Sequence, residues 1–150
     1  MAEDELIKKT LETSKKIEMV GVSSIKKEVS TNIRRRPSTI VMKYMQEFGY
    51  RVIPVNPFST GEKIHGETII AKLSDIKIPI DIVDVFRPSK EAPMIAEEAV
   101  KVGAKVFWLQ YGIQNQEAQT IIEKANMFYI SNKCIKQEYQ KLFFYYTVNF

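Results

Sequence analysis

The residues most able to do chemistry lie in a basic segment that follows the first apolar run of the chain. Its five cations and single acid are Lys26, Lys27, Arg34, Arg35, Arg36 and Glu28. The segment leads into Pro37-Ser38-Thr39, where apolar residues begin to recur at three- and four-residue spacing and predict a helix. A helix start offers free N–H groups and a positive dipole end, so with these cations it suits a phosphate. The alternative is a solvated loop in which Ser38 only caps the helix.

Several classes of nucleotide site are excluded by the motifs that are missing. The first apolar run ends in Gly21-Val22-Ser23-Ser24, without the G-x-G-x-x-G pattern of dinucleotide sites. The second ends at Asn56, where an NAD site has Asp or Glu for the ribose hydroxyls. The sequence has no G-x-x-x-x-G-K-[ST], so it is not a P-loop NTPase. Gly21 and Ser23 also stand where a phosphoacceptor receiver domain needs acids.

Three side chains that could support catalysis lack a partner in the sequence. His65 is the only histidine and has no nucleophile near it along the chain. Cys134 is the only cysteine, and we expect it to be a buried structural residue; the alternative is a reactive thiol whose pKa is lowered by Lys133 and Lys136. Asp84 lies in an apolar run and either bonds a ligand hydroxyl or braces a loop. These residues form no recognisable acid–base couple, so we predict neither catalytic residues nor a metal site.

Alternating strands and helices must position these residues. The predicted strands span residues 17–22, 51–55, 80–86, 105–109 and 127–130, and the predicted helices 4–14, 37–48, 69–75, 89–102, 115–125 and 135–144. The connections are long enough for crossover helices, which predicts an α/β fold with a doubly wound, mainly parallel five-stranded sheet in three α/β/α layers. Ligands of such sheets bind beyond the carboxyl ends of the strands, which brings loops 23–36, 56–66 and 86–89 together.

Length and composition fit one globular unit. The chain has 150 residues with 45% hydrophobic and 27% charged residues, and we expect a single domain over 1–150, with an N-terminal helix in 1–14 and a tail of unassigned structure at 145–150. The net charge of +4 is too small to indicate nucleic acid. No stretch approaches the length of a membrane span, and one cysteine suits a reducing compartment. We therefore expect a cytoplasmic protein without membrane or nucleic-acid partners.

Several segments taken together resemble one family. They are Val20-Gly21-Val22-Ser23, Arg36-Pro37-Ser38 and residues 49–57, 83–87 and 103–113. They resemble the small stand-alone CoA-binding proteins, which are Rossmann-like domains similar to the CoA-binding domain of the succinyl-CoA synthetase alpha subunit. The resemblance covers about residues 15–142, and its most specific parts are the P-V-N-P and V-D-V-F-R elements.

The resemblance implies a non-catalytic protein that binds CoA or acyl-CoA, with the ADP part across the three loops. The implied contacts are Gly21, Val22, Ser23, Ser24, Arg36, Ser38, Thr39, Asn56, Pro57, Lys63, Val85, Phe86, Arg87, Leu109 and Gln110. Among these, the hydroxyls at 38 and 39 are implied to face phosphate at the helix start. Lys63 is implied to match a phosphate-contacting lysine. Residues 85–87 would border the adenosine, and residues 109–110 the pantetheine arm.

Other interpretations of the same residues stay open. Asn56-Pro57 also fits a plain turn, Phe86 a core position, and Lys63 a solvated loop. The basic segment suits the 2′-phosphate of NADP or another nucleotide, and the chain could serve as a subunit of an acyl-CoA ligase or transferase. The aromatic residues 143–146 could form a homo-oligomer contact.

Overall fold

Five parallel strands form the main sheet of the computed structural model, which describes residues 2–23 and 37–145. The strands in chain order are β1 (Lys16–Val20), β2 (Arg51–Val55), β3 (Lys63–Ile64), β4 (Glu67–Thr68), β5 (Ile82–Val85), β6 (Val106–Leu109) and β7 (Phe128–Ile130). The main sheet has the order β2-β1-β5-β6-β7, with each neighbouring pair parallel. The remaining strands, β3 and β4, form a separate antiparallel hairpin.

The described residues also form five α-helices. They are α1 (Glu3–Thr13), α2 (Pro37–Glu47), α3 (Ala92–Val102), α4 (Gln116–Lys124) and α5 (Ile135–Gln140). Local sequence sets their ends: the Asn115 side chain caps α4 by accepting from the Ala118 N–H, and Gly103 ends α3 in the left-handed conformation, with φ +72°. Short 3₁₀ turns cover Leu73–Asp75 and Ser89–Glu91, and a π-helical turn covers Lys141–Tyr145.

The sheet separates two apolar cores, which confirms the predicted three-layer fold. Successive strand residues face opposite sides, so Ile17 and Met19 of β1 pack with α1, α2 and α5. Val20 packs with α3 and α4 on the other side. Both faces of the sheet are covered, which explains why β1, β5 and β6 are buried along nearly their whole length.

The order of the strands places a switch point between β1 and β5. The chain moves outward from β1 to β2, then returns to the other side of β1 and continues through β5, β6 and β7. The loops after β1 and β5 therefore diverge to opposite faces of the sheet and leave a crevice between them. This doubly wound topology confirms the predicted fold class and fixes where a ligand is expected.

The segment after β2 differs from the sequence prediction. The sequence predicts a helix over 69–75, but Ile70 instead forms a parallel bridge with Val55, and only Leu73–Asp75 is helical. The hairpin before it turns at His65 and Gly66, both with positive φ. A short apolar run is compatible with either a strand or a helix. Here the outer edge of β2 has backbone groups that its neighbour β1 does not bond, and the Ile70 N–H donates to the Pro54 carbonyl at 3.0 Å.

Two helix boundaries also differ from the pattern. The helix expected from residue 89 begins at Ala92, after a 3₁₀ turn that follows Pro88. The helix expected over 135–144 ends at Gln140 and continues as the π-helical turn. Within the residues that the structure describes, no helix is both long enough and apolar enough to cross a membrane.

Candidate functional site

The turn after β1 is built around Gly21. Its φ is +94°, and its N–H donates to the Val55 carbonyl at 2.8 Å, which ties the turn to the end of β2. A Cβ atom at this position would lie 2.7 Å from Arg87 Cδ and 3.0 Å from the Phe86 carbonyl oxygen. Only glycine combines this backbone conformation with so close an approach of the segment after β5.

Hydrogen bonds fasten the first turn to its neighbours. The Ser23 N–H donates to Ser38 Oγ at 3.2 Å, so the turn is held against the first residues of α2. The Asn56 side chain donates from Nδ2 to the Val22 carbonyl at 2.8 Å, and its Oδ1 accepts from the Phe58 N–H at 2.9 Å. Asn56 thus makes the local turn that one interpretation expected and also clamps the first loop to the second.

A cavity of about 200 Å³ opens beside this turn on the α3 side of the sheet. We call it the Arg87 cavity, and its wall includes Gly21, Asn56, Lys72, Leu73, Arg87 and Met94. Arg87 donates two hydrogen bonds to the Glu91 carboxylate, from Nε at 3.1 Å and from the guanidinium NH2 group at 2.7 Å. This pair fixes the guanidinium and leaves its charge largely balanced.

A larger cavity of about 630 Å³ lies on the opposite face, next to α2 and α5. We call it the Cys134 cavity, and its wall includes Pro37, Val41, Phe86, Gln110, Tyr111 and Cys134. Gln110 closes the end of β6, where its side-chain Nε2 donates to Asp84 Oδ1 of the neighbouring strand. Phe86 and Cys134 also pack against the apolar core on this face, so the wall is largely apolar.

The two cavities flank the segment that follows β5. Phe86 lines the Cys134 cavity, and the next residue, Arg87, lines the other, so the segment after β5 separates them. Gly21 and the Phe86 carbonyl approach each other at this ridge. The arrangement suits an elongated ligand that crosses the ridge and places one end in each cavity.

Two buried carboxyl groups and one half-buried thiol have raised pKa values. Burial raises the pKa of Asp84 to about 8, and the hydrogen bond from Gln110 opposes this only partly. Burial and the charge of Glu98 raise the pKa of Glu18 to about 8. Burial also raises the pKa of Cys134, which argues against the alternative of a thiol with a lowered pKa. Lys133 forms an ion pair with Glu3 at 3.6 Å, and Lys136 lies over the Tyr44 ring.

The structure brings some of the implied residues together and leaves others apart. Nine of the implied residues lie together at the carboxyl edge of the sheet: Gly21, Val22, Ser23, Ser38, Asn56, Pro57, Phe86, Arg87 and Gln110. Val85 and Leu109 are fully buried in the α3-side core. Lys63 is exposed on β3, opposite Thr68 rather than in the wall of either cavity. Thr39 lies on α2, where its carbonyl is 3.1 Å from His65 Nε2.

All five cations of the first loop, Arg36 among them, lie outside the described residues, as does Ser24. The structure adds Lys72, Glu91 and Glu98 to the wall of the Arg87 cavity, none of which the sequence singled out. Of these three, only Glu91 could have been found from the sequence, because it follows Arg87 by four residues, the spacing of an ion pair on a helix. Within residues 2–23 and 37–145 no group of three potential metal ligands occurs.

Comparison with known proteins agrees with this geometry. The family described as CoA binding domain matches residues 15–140. The Bacillus subtilis (strain 168) protein YneT is 40% identical over 130 residues, which cover 87% of this chain and 89% of that protein.

Solved structures share the fold. A Thermus thermophilus protein, 32% identical, superposes with a TM-score of 0.84 over 95% of this chain and 100% of its own. A Pyrococcus horikoshii OT3 protein, 36% identical, gives 0.83 over 94% and 92%. A dinucleotide forming acetyl-coenzyme A synthetase from Ca. Korarchaeum cryptofilum shares the fold alone, at 19% identity and a TM-score of 0.63 over 78% of this chain and 25% of that one. From the family match and the relatives above 30% identity, the chain belongs to the CoA binding domain family.

Proposed function

We propose that the protein binds CoA or acyl-CoA without catalysing a reaction on it. The observation that carries the proposal is the pair of cavities that flank the segment Phe86–Arg87 at the switch point of the sheet, where Gly21 allows a close approach. CoA is an elongated molecule with a nucleotide at one end and a thiol-bearing pantetheine arm at the other. Membership of the CoA binding domain family supports this ligand over others of the same shape.

The nucleotide end fits the Arg87 cavity best. Its wall combines apolar side chains, including Leu73 and Met94, with the cations Lys72 and Arg87. An adenine ring gains from the apolar surface, and the 3′-phosphate from the cations. Because Glu91 already balances Arg87, Lys72 is the better donor of charge to a phosphate.

The pyrophosphate belongs at the start of α2. Ser38 Oγ accepts from Ser23 N–H, so its own hydroxyl proton is left to donate. The first N–H groups of α2 point out of the helix start, and the basic segment precedes it directly in the sequence. From there the pantetheine arm would pass Phe86 and Gln110 into the Cys134 cavity.

Calorimetric titration tests the ligand class. We expect CoA to bind more tightly than NAD, NADP or ADP at moderate salt, because only CoA combines a 3′-phosphorylated nucleotide for the Arg87 cavity with a pantetheine arm for the Cys134 cavity. NADP is the informative competitor, since Asn56 ends β2 without the acid that repels a 2′-phosphate. NADP or NAD binding as tight as CoA binding would contradict the proposal. A mass spectrum of any ligand released from purified protein gives an independent check.

A further inference from the structure

The Cys134 cavity differs from the Arg87 cavity in the charge of its wall. The described wall of the Arg87 cavity holds the charged side chains of Lys72, Arg87, Glu91 and Glu98. Among the described residues that line the Cys134 cavity, none is Lys, Arg, His, Asp or Glu. A charged group of a ligand would lose its hydration there without gaining a counter-ion from these residues, so we expect an uncharged occupant.

The polar groups of this wall suit the pantetheine arm of CoA. Gln110 is buried at the end of β6, and Gln137 is exposed on α5. The amide groups of the arm can exchange hydrogen bonds with such side-chain amides. Beyond the two glutamines the described wall is largely apolar, with Val41, Phe86 and Ile113 among its side chains. This apolar surface has no counterpart in the polar arm.

The Cys134 cavity is also the larger of the two. Its volume of about 630 Å³, against about 200 Å³ for the Arg87 cavity, is roughly three times as large, although the arm is the slimmer end of CoA. Tyr111 lines it with 76% of its surface exposed. An exposed large apolar side chain beside a cavity is typical of a surface that a ligand covers. Space and apolar surface therefore remain for a group carried on the sulfur at the end of the arm.

We propose that the Cys134 cavity is an acyl-chain site, and that the ligand is a CoA thioester with an uncharged hydrocarbon acyl group rather than free CoA. The inference rests on the proposed function, because the nucleotide has to bind at the Arg87 cavity for the arm to lead an acyl group here. The acyl group is held by packing alone, so no bond forms or breaks.

Acyl groups of equal length and different charge distinguish this site. Methylene groups that pack against Val41, Tyr111 and Ile113 stabilise the complex by leaving water. A carboxylate at the end of the chain would be desolvated in the same place without a cation among the described wall residues. Butyryl-CoA and succinyl-CoA form the matched pair, because both carry a four-carbon acyl group and only the second is charged.

Calorimetric titration of the full chain with CoA and its thioesters tests the inference. Each methylene that enters the cavity should tighten binding by about fourfold, equivalent to about 0.8 kcal/mol. Butyryl-CoA, with two more methylenes, should therefore bind about tenfold or more tightly than acetyl-CoA. Succinyl-CoA should bind no more tightly than CoA itself.

Two substitutions of exposed aromatic residues locate the effect. Tyr111→Ala removes a ring from the wall, so it should lower the ratio of butyryl-CoA affinity to CoA affinity. Phe128→Ala removes an exposed ring on β7 that lines neither cavity, so it should keep the wild-type ratio. Circular dichroism confirms that both variants are folded.

The outcomes separate this inference from the proposed function. The acyl-chain site is overturned if butyryl-CoA binds no more tightly than CoA, if succinyl-CoA binds as tightly as butyryl-CoA, or if Tyr111→Ala keeps the wild-type ratio. In each of these cases CoA still binds, and the proposed function stands. If neither CoA nor any thioester binds, the proposed function is wrong, and the inference with it.

Discussion

At the scale of single residues, Gly21 couples backbone geometry to the site. Its positive φ and the nearby Arg87 side chain both disfavour a residue with a Cβ atom at this position. Gly61 provides a matched comparison, because its φ is +88° but no atom lies within 4 Å of a Cβ built there. Comparing substitutions at these two glycines separates the cost of the backbone conformation from the cost of crowding at the ridge between the cavities.

We expect Gly21→Ala to lower the free energy of unfolding by more than Gly61→Ala does. Both pay roughly 1–2 kcal/mol for a left-handed conformation, and Gly21→Ala adds a clash of about 1–3 kcal/mol. Gly21→Ala should also weaken CoA binding by about tenfold, equivalent to about 1.4 kcal/mol, because Arg87 and the ridge must shift. Urea denaturation and calorimetry measure the two effects. Equal losses in both variants would show that the ridge tolerates a methyl group.

The identity of the phosphate-binding lysine is also a question of single residues. The resemblance assigns it to Lys63, whereas the wall of the Arg87 cavity contains Lys72. A charge-assisted hydrogen bond to phosphate contributes about 1.5–3 kcal/mol. We therefore expect Lys72→Ala to weaken CoA by about tenfold or more and Lys63→Ala to have a smaller effect. Calorimetry at low and high salt checks this, since screening should shrink the Lys72 effect. The reverse order of the two effects would return the role to Lys63.

At the scale of elements, the site depends on how the ends of β1 and β2 are joined. Asn56 uses both ends of its amide: Nδ2 donates to the Val22 carbonyl and Oδ1 accepts from the Phe58 N–H. Ser38 links the same loop to α2. Three elements thus share one short network, which holds the first turn open toward the switch point.

Asn56→Asp tests this network with almost no change of shape. The carboxylate can still accept from Phe58, but it cannot donate to Val22 and instead brings a negative charge against that carbonyl. We expect the free energy of unfolding to fall by about 1–3 kcal/mol at neutral pH, the usual cost of an unsatisfied buried group. CoA binding should weaken as well, because the charge repels phosphate. Denaturation and calorimetry at pH 7 measure both. Unchanged values would mean that the donated hydrogen bond is dispensable.

At the scale of the whole molecule, the sequence predicted the fold better than the site. Alternating strands and helices permit few topologies, so the five-stranded doubly wound sheet could be predicted from the order and spacing of the apolar runs. The β3–β4 hairpin did not, because its apolar pairs are too short to carry a period.

Residues at the carboxyl edge of the sheet were predictable where a local motif marked them. The glycine of the first turn and the Asn56-Pro57 motif both lie at the carboxyl edge of the sheet. The place of Lys72 in the wall of the Arg87 cavity and the full burial of Asp84 depend on packing between distant segments, which no local pattern records. The pKa of Cys134 shows the same limit, since burial outweighs the flanking lysines that the sequence displays.

The whole molecule also holds two buried acids whose titration affects its stability. Glu18 on β1 lies on the α3 side of the sheet, where it is fully buried and where neither carboxyl oxygen has a partner among the described residues. Burial, with the charge of Glu98, raises its pKa to about 8, and burial raises the pKa of Asp84 to about 8 as well. Asp81 acts in the opposite direction: although burial opposes the shift, N–H groups at Lys15 and Lys16 and the charge of Lys105 together lower its pKa.

These shifts predict that the free energy of unfolding falls as pH rises from about 5 to about 8. In this range the folded chain keeps the protons of Glu18 and Asp84, while the unfolded chain, with carboxyl pKa values near 4, has released them. The folded state binds more protons, so raising pH favours unfolding until pH passes the folded pKa values. Asp81 contributes at lower pH, because its stabilisation is lost only as pH falls through its depressed pKa.

Glu18→Gln keeps the shape of the side chain without a titrating proton, so the pH profile of its unfolding free energy should be flatter than that of the wild type. At pH 8 its free energy of unfolding should be higher than that of the wild type by a few kcal/mol, on the order set by about 1.4 kcal/mol per pKa unit. Glu97→Gln, an exposed change on α3, should follow the wild-type profile. Urea denaturation at pH 5, 6.5 and 8 measures all three proteins, and parallel profiles for wild type and Glu18→Gln would show that Glu18 is ionised in the folded chain.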